Sequence, residues 1–238
     1  MVRSPERPTL PAVRLRQIVL AVADLAATRT AIEDELHLPH VWADPGVAHF
    51  GLHNALYAVG DTFLEVVSPF GGDAPARRFL DRAGHDAGYM AIVQTTEPLD
   101  EVRRRAEALG IRIVYEANGE GVTGLHLHPS DTGGTLLSID RCEREAEWPW
   151  AGPAWHAAPN RGYSAITSAT FAVGAPSEVA ERWGALLGTG TTGDAIQLDG
   201  ATLRFVPDAD GRSGLCEATL AGASAITTTI AGVTFTVS

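Results

Sequence analysis

The chain has 238 residues, 45% of them hydrophobic, enough to bury a large core in one long domain or two smaller ones. Its 18 basic residues, all arginine, face 29 acidic ones for a net charge of −11, which disfavours a nucleic-acid backbone or an anionic membrane as partner. The absence of lysine also removes Schiff-base catalysis and the lysine of a phosphate-binding loop.

The two cysteines, Cys142 and Cys216, make neither a zinc cluster nor a disulfide framework and read as inert small hydrophobes in a reducing compartment. The Pro- and Arg-rich N-terminus lacks the apolar stretch of a secretory signal, and nowhere do ~18 apolar residues run uninterrupted. A cytoplasmic protein without a membrane span is expected.

In chain order, one pattern recurs. Residues 17–38 read as a short apolar strand, Asp24 as helix N-cap, then a helix. GYMAIVQTTEPLDEVRRRAEALG repeats it, with a helix from about Leu99 that stops at Gly110; SATFAVGAPSEVAERWGALLG repeats it again, ending at Gly188. Anchored on Val22, Val93 and Val173, the copies lie 71 and 80 residues apart, so they are internal repeats.

After each helix come strand-like stretches broken by turn residues, the mark of antiparallel hairpins. VAHFGLHNALYAV and TFLEVVSPF follow the first helix; IRIVYEA, GLHLHP and TLLSIDR follow the second; DAIQLD and ATLRFVP follow the third. The tail adds GLCEATLAG and a hairpin from TTTIAGVTFTV, with no further helix.

A unit of one strand, one helix and three strands cannot cover its own apolar face, so the units are expected in packed pairs of an α+β protein. Residues 14–142 form one pair and 163–238 a second, truncated one. The connector, 143–162, carries Trp148, Trp150 and Trp155 among prolines, and is expected to pack across both pairs.

QIVLAVADL, HFGLHNALYAVGDTFLEVVSP and HPSDTGGTLLSID, in that order and spacing, resemble the vicinal oxygen chelate (VOC) superfamily, most closely its glyoxalase-like branch. That superfamily includes glyoxalase I, bleomycin-resistance proteins, extradiol dioxygenases and methylmalonyl-CoA epimerase. The resemblance implies tandem βαβββ modules paired into cup-shaped mixed sheets. It also implies a divalent metal (Zn, Ni, Fe or Mn) held by four inward side chains.

Gln17 and Glu65 match two of the implied ligand positions, whereas Gly88 and Ser138 stand at the other two. One carboxylate and one amide are too few donors for such an ion. In the second pair the corresponding places are Ser168 and Arg204, which would reject a cation and leave that half a shielding role.

Period-two alternation puts Gln17, Val19 and Ala21 on one face, and Phe63, Glu65 and Val67 on another. A carboxyl group among such neighbours must find a partner or shift its pKa upward, so Glu65 reads as ligand, general base or polar anchor. A direct hydrogen bond from Gln17 to Glu65 would satisfy both without metal.

Candidate catalytic residues are Glu65 and His49; candidate ligand-binding residues are Gln17, His53, Asn54, Tyr89, His126 and Ser138. His128, before Pro129, reads as a turn cap, and His85 flanks Gly88. Arg77, Arg78 and Arg82 recur at helical spacing and suit either an anionic group or a solvated face.

The resulting expectation is a protein that binds a small organic ligand in the N-terminal cup. If catalytic, it is a lyase or isomerase acting next to a carbonyl, with Glu65 as base, or a dioxygenase-type enzyme. The alternative is metal-free sequestration of a ligand, with Trp42, Phe50, Tyr57 and Phe63 as stacking surface. The repeats already pair within one chain, so monomer and homodimer both fit.

Overall fold

A computed structural model describes residues 12–159, 162–209 and 211–238. The Pro- and Arg-rich N-terminal stretch and the last connector positions, 160 and 161, lie outside these residues.

The first half opens with β1 (Val13–Ala21) and α1 (Leu25–Ala31), which continues as a π turn over Ile32–Leu36. Asp24 caps α1 by accepting from the Ala27 amide, as the sequence suggests. There follow β2 (His40–Trp42), a 3-10 turn (Pro45–Phe50), β3 (Leu52–Val59), β4 (Thr62–Pro69) and α2 (Pro75–Ala83). The second unit is β5 (Ala87–Thr95), α3 (Leu99–Ala108), β6 (Ile113–Gly119), β7 (Val122–Leu127) and β8 (Leu136–Cys142).

These strands make one eight-stranded sheet in the order β2-β3-β4-β1-β5-β8-β7-β6. The hairpins are antiparallel, but β1 runs parallel to β4 and β5 parallel to β8, so each unit closes through a crossover and the sheet is mixed. Strong curl brings its two ends together: Phe50, just before β3, meets Tyr115 of β6 edge-on with ring centroids 4.9 Å apart.

The second half contains β9 (Tyr163–Val173), α4 (Pro176–Leu187), β10 (Ala195–Leu198), β11 (Ala201–Pro207), β12 (Gly214–Gly222), β13 (Ile226–Ile230) and β14 (Val233–Val237). They form a six-stranded sheet, β10-β11-β9-β12-β14-β13, whose second unit lacks a helix. No helix among the described residues is long and apolar enough to cross a membrane.

Alternation sorts the core into two layers. Ile18, Leu20, Ala55, Tyr57, Leu64 and Val66 face the helices and join Phe171, Trp183 and Phe205 of the second half in one continuous cluster. Val19, Ala21, Leu56, Phe63 and Val67 point into the hollow of the first sheet. There they meet Trp148 and Trp155.

The connector therefore packs into the first cup rather than across both halves. Trp148 and Trp155 flank the fully buried Arg16, whose guanidinium lies 5.3 and 5.7 Å from their ring centres. A buried cation is costly, and aromatic faces offset part of that cost. At the seam of the curled sheet, Trp42 presses on Gly152 and Trp150 on Gly119, so the connector bridges the two sheet edges.

Candidate functional site

The hollow of the first sheet opens into a cavity of about 1340 Å³, walled also by Leu215, Cys216, Glu217, Gly232 and Thr234 of the second half. Glu65, in the middle of β4, lies on its lining and is almost fully buried. Its Oε2 accepts from Gln17 Nε2 at 2.7 Å, and its Oε1 from Asn54 Nδ2 at 2.7 Å. The hydrogen bond the sequence allows between Gln17 and Glu65 is thus formed.

The orientation of both amides is fixed from behind. Trp148 Nε1, which can only donate, gives its proton to Gln17 Oε1 at 2.8 Å. The Asp44 backbone N–H, likewise only a donor, gives its proton to Asn54 Oδ1 at 2.9 Å. Each amide must then present its NH₂ to the carboxylate. Burial pushes the Glu65 carboxyl up to about 7, against the pull of the Asn54 and Gln17 hydrogen bonds and with a contribution from the Asp44 charge.

A second buried carboxyl group, Asp140, lies on β8 in phase with Ser138. It accepts from the Ser138 hydroxyl and, at 2.7 Å, from Trp150 Nε1. Burial pushes it up to about 6, opposed by those two bonds. Its register partner on β7 is Gly124, where a Cβ would lie 2.5 Å from Asp140 Oδ1, so only glycine leaves room for the carboxylate. Asp140 has no place in the sequence reading, although its alternation with Ser138 signals it.

His126 faces the cavity from β7, against Tyr115. Burial lowers its pKa to about 4, so the ring is neutral at pH 7 and one nitrogen carries a donor N–H. Tyr89 also lines the cavity, and burial raises its phenol to about 12. Neither the Tyr89 hydroxyl nor the His126 ring has a hydrogen-bond partner among the described residues.

His49 and His53 take another place. Asp44 and Pro45 start a 3-10 turn through Phe50, so the strand begins only at Leu52 and His49 is left exposed outside the cavity. Alternation then carries Asn54 inward and His53 outward, where it rests on Phe70 at 4.5 Å. A catalytic role for His49 in the cup, and a ligand-binding role for His53, are therefore corrected. His128 caps the following 3-10 turn by accepting from the Ser130 amide at 3.1 Å.

The donors present do not fit a divalent metal. Gln17 turns its oxygen to Trp148 and its NH₂ to Glu65, and no group of three His, Cys, Asp or Glu side chains among the described residues converges on one point. Ser138 donates its hydroxyl to Asp140. Gly88 lies toward one end of β5, where a Cβ would meet Leu215 O at 2.3 Å. It is a glycine because β12 crosses there, rather than a ligand position left vacant. Gln17 pairs in register with Ile92 instead.

A model for the glyoxalase-like domain matches residues 18–187, most of the chain. The chain belongs to this family. As a glyoxalase-like member of the VOC superfamily, it is 27% identical to mitochondrial methylmalonyl-CoA epimerase of Bos taurus over 133 residues, 54% of this chain and 74% of that protein. A hypothetical protein from Staphylococcus aureus covers 95% of this chain and 99% of its own with TM-score 0.70 at 12% identity, which shows the fold over both halves. A variant of Streptomyces coelicolor methylmalonyl-CoA epimerase, in complex with 2-nitronate-propionyl-CoA, matches at TM-score 0.50 and 19% identity. It covers 57% of this chain and 98% of its own, a likeness of fold.

Proposed function

We propose that this glyoxalase-like protein is an isomerase-type enzyme in which Glu65 takes a proton from a carbon next to a carbonyl group. The supporting observation is a buried carboxylate on the cavity lining, each oxygen braced by an amide NH₂ whose orientation is fixed from behind. Two neutral donors hold the base in place without neutralising it, and its pKa of about 7 matches a general base at physiological pH.

Removing that proton places negative charge on the carbonyl oxygen. The unpartnered Tyr89 hydroxyl and the neutral His126 ring are donors on the cavity lining that can meet it. Asp140 is the second group there with a proton to exchange near neutral pH. The relatives named methylmalonyl-CoA epimerase favour an isomerase over a dioxygenase or a lyase. In this reading the unit 14–142 holds the ligand, 143–162 braces it and 163–238 supplies a wall.

Solvent deuterium incorporation tests the proposal. Carbonyl compounds with an acidic α-hydrogen, followed by proton NMR in D₂O, exchange in the presence of the wild type and not of Glu65→Gln. Exchange undiminished in that variant refutes the assignment.

The second reading, metal-free ligand sequestration, is favoured by the same cluster, because Gln17, Asn54 and Glu65 satisfy one another without a ligand. Tight ligand binding with no exchange in wild type or variant would establish it.

A further inference from the structure

Arg78 and Arg82 lie one turn apart on α2, so they project from the same side of that helix, and both line the cavity. Most other arginines of the first half are engaged. Arg14 pairs with Asp61, Arg29 with Glu33, Arg103 with Glu116, Arg105 with Glu97 and Arg112 with Asp131. Arg82 has no ion pair or hydrogen bond among the described residues, and Arg78 donates only to the Asp73 carbonyl oxygen. Phe79, between them in sequence, packs on Tyr89 at 5.0 Å, which ties this helix to the strand that carries the phenol.

Tyr89 is the link. It lines the same cavity as Glu65 and the two arginines, and its ring contact with Phe79 ties it to the helix that carries them. Guanidinium, unpartnered O–H and carboxylate base thus border one cavity. We propose that Arg78 and Arg82 form an anion subsite, and that the substrate is a carbonyl compound carrying a carboxylate, its carbonyl oxygen on Tyr89 and its acidic carbon at Glu65. The inference deepens the proton-transfer reading and rests on it only for the part played by Glu65.

The charges around the cavity give the pair a role. Asp44, Asp140, Asp208 and Glu217 line it as well, with Arg212 as the one further arginine of the lining, on a chain of net charge −11, so an anionic ligand meets repulsion unless local cations hold it. Asp208 is engaged by Ser213 Oγ at 2.7 Å and by the Arg212 amide at 2.7 Å. Two guanidiniums one helical turn apart offer the forked donors that a carboxylate accepts.

Binding of 2-oxobutyrate, 2-oxoglutarate and phenylpyruvate, each beside its methyl ester, tests the inference by isothermal titration calorimetry. The wild type is expected to bind at least one acid about tenfold or more tightly than its ester, a charge-assisted contact. Arg78→Ala/Arg82→Ala is expected to remove that preference while the ester binds unchanged, and Arg82→Lys to restore part of it. Both positions are exposed, so the free variant should melt with the wild type. No acid bound in preference to its ester, or a preference that survives the double substitution, overturns the subsite. Glu65→Gln separates the two claims: retained acid preference with lost deuterium exchange supports both. Retained preference and retained exchange supports the subsite and sinks the base.

Discussion

The two halves share one plan, a strand, a helix and following hairpins, yet use it differently. In the first, the cup encloses Gln17, Asn54, Glu65, Ser138 and Asp140, all buried and hydrogen bonded within two small clusters. In the second, the buried side chains are hydrophobic apart from Thr170, with Trp183 of α4 in ring contact with Phe171 and Phe205. Ser168 and Arg204, at the places corresponding to Gln17 and Glu65, are half-buried and exposed respectively. A repeated fold thus fixes where a site could form, whereas chemistry requires buried polar groups whose orientation neighbours enforce.

The comparison breaks most decisively at Glu65. Glu65→Gln is expected to slow α-proton exchange by ~10²–10⁴-fold, the usual range for removing a general base. Arg204→Ala in the second half should leave the rate within about twofold, because that position lies off the cavity lining. Equal losses would erase the functional difference between the halves.

Next comes pH. Glu65 has a folded pKa of about 7 against an ordinary 4.5, so the native state holds its proton longer than the unfolded chain does. Its favourable contribution is complete below about 4.5 and is lost as pH rises through about 7, worth about 3 kcal/mol in total. Asp140 acts in the same sense between 3.8 and about 6. His126, lowered to about 4 from an ordinary 6.5, acts in the opposite sense over part of the same range, so the diagnostic quantity is the difference between wild type and Glu65→Gln. In urea unfolding between pH 4.5 and 8 the wild type should lose stability relative to Glu65→Gln as pH rises, and an unchanged difference across that range would mean that the carboxyl is not titrating in a dry site.

The tryptophans sharpen the contrast further. Trp148→Phe and Trp183→Phe each remove one buried indole N–H, to Gln17 Oε1 and to Thr132 O respectively, and each should cost about 1–3 kcal/mol in urea unfolding. Only the Trp148 variant should also reduce exchange, because it frees the amide that braces Glu65. Gly88→Ala places a methyl against the Leu215 backbone and should destabilise by about 1–3 kcal/mol, read as a lower Tm.

Much of this was legible from residue order. The repeats, hairpins, absent last helix and Asp24 cap follow from periodicity and turn residues, which depend on neighbours close in the chain. Glu65 stood out because a carboxylate amid Phe63, Leu64 and Val66 has few explanations. His49 and His53 misled because a histidine near a strand start carries no mark of which face it takes, and the Pro45 turn displaced the strand to Leu52. Trp148 and Trp150 were visible only as costly residues in a linker, since Gln17 is 131 positions from its indole partner.

The sequence by itself determined the class of fold, the repeat and one carboxylate that must be buried. Local spacing encodes alternation and helix periodicity, and these act within a few residues. Tertiary structure alone decided that indole and amide donors brace that carboxylate, that Asp140 joins it in the same hollow, and that Arg78 and Arg82 border the same space. Each depends on how a curled sheet brings its edges together, a distance in space that no interval along the chain records.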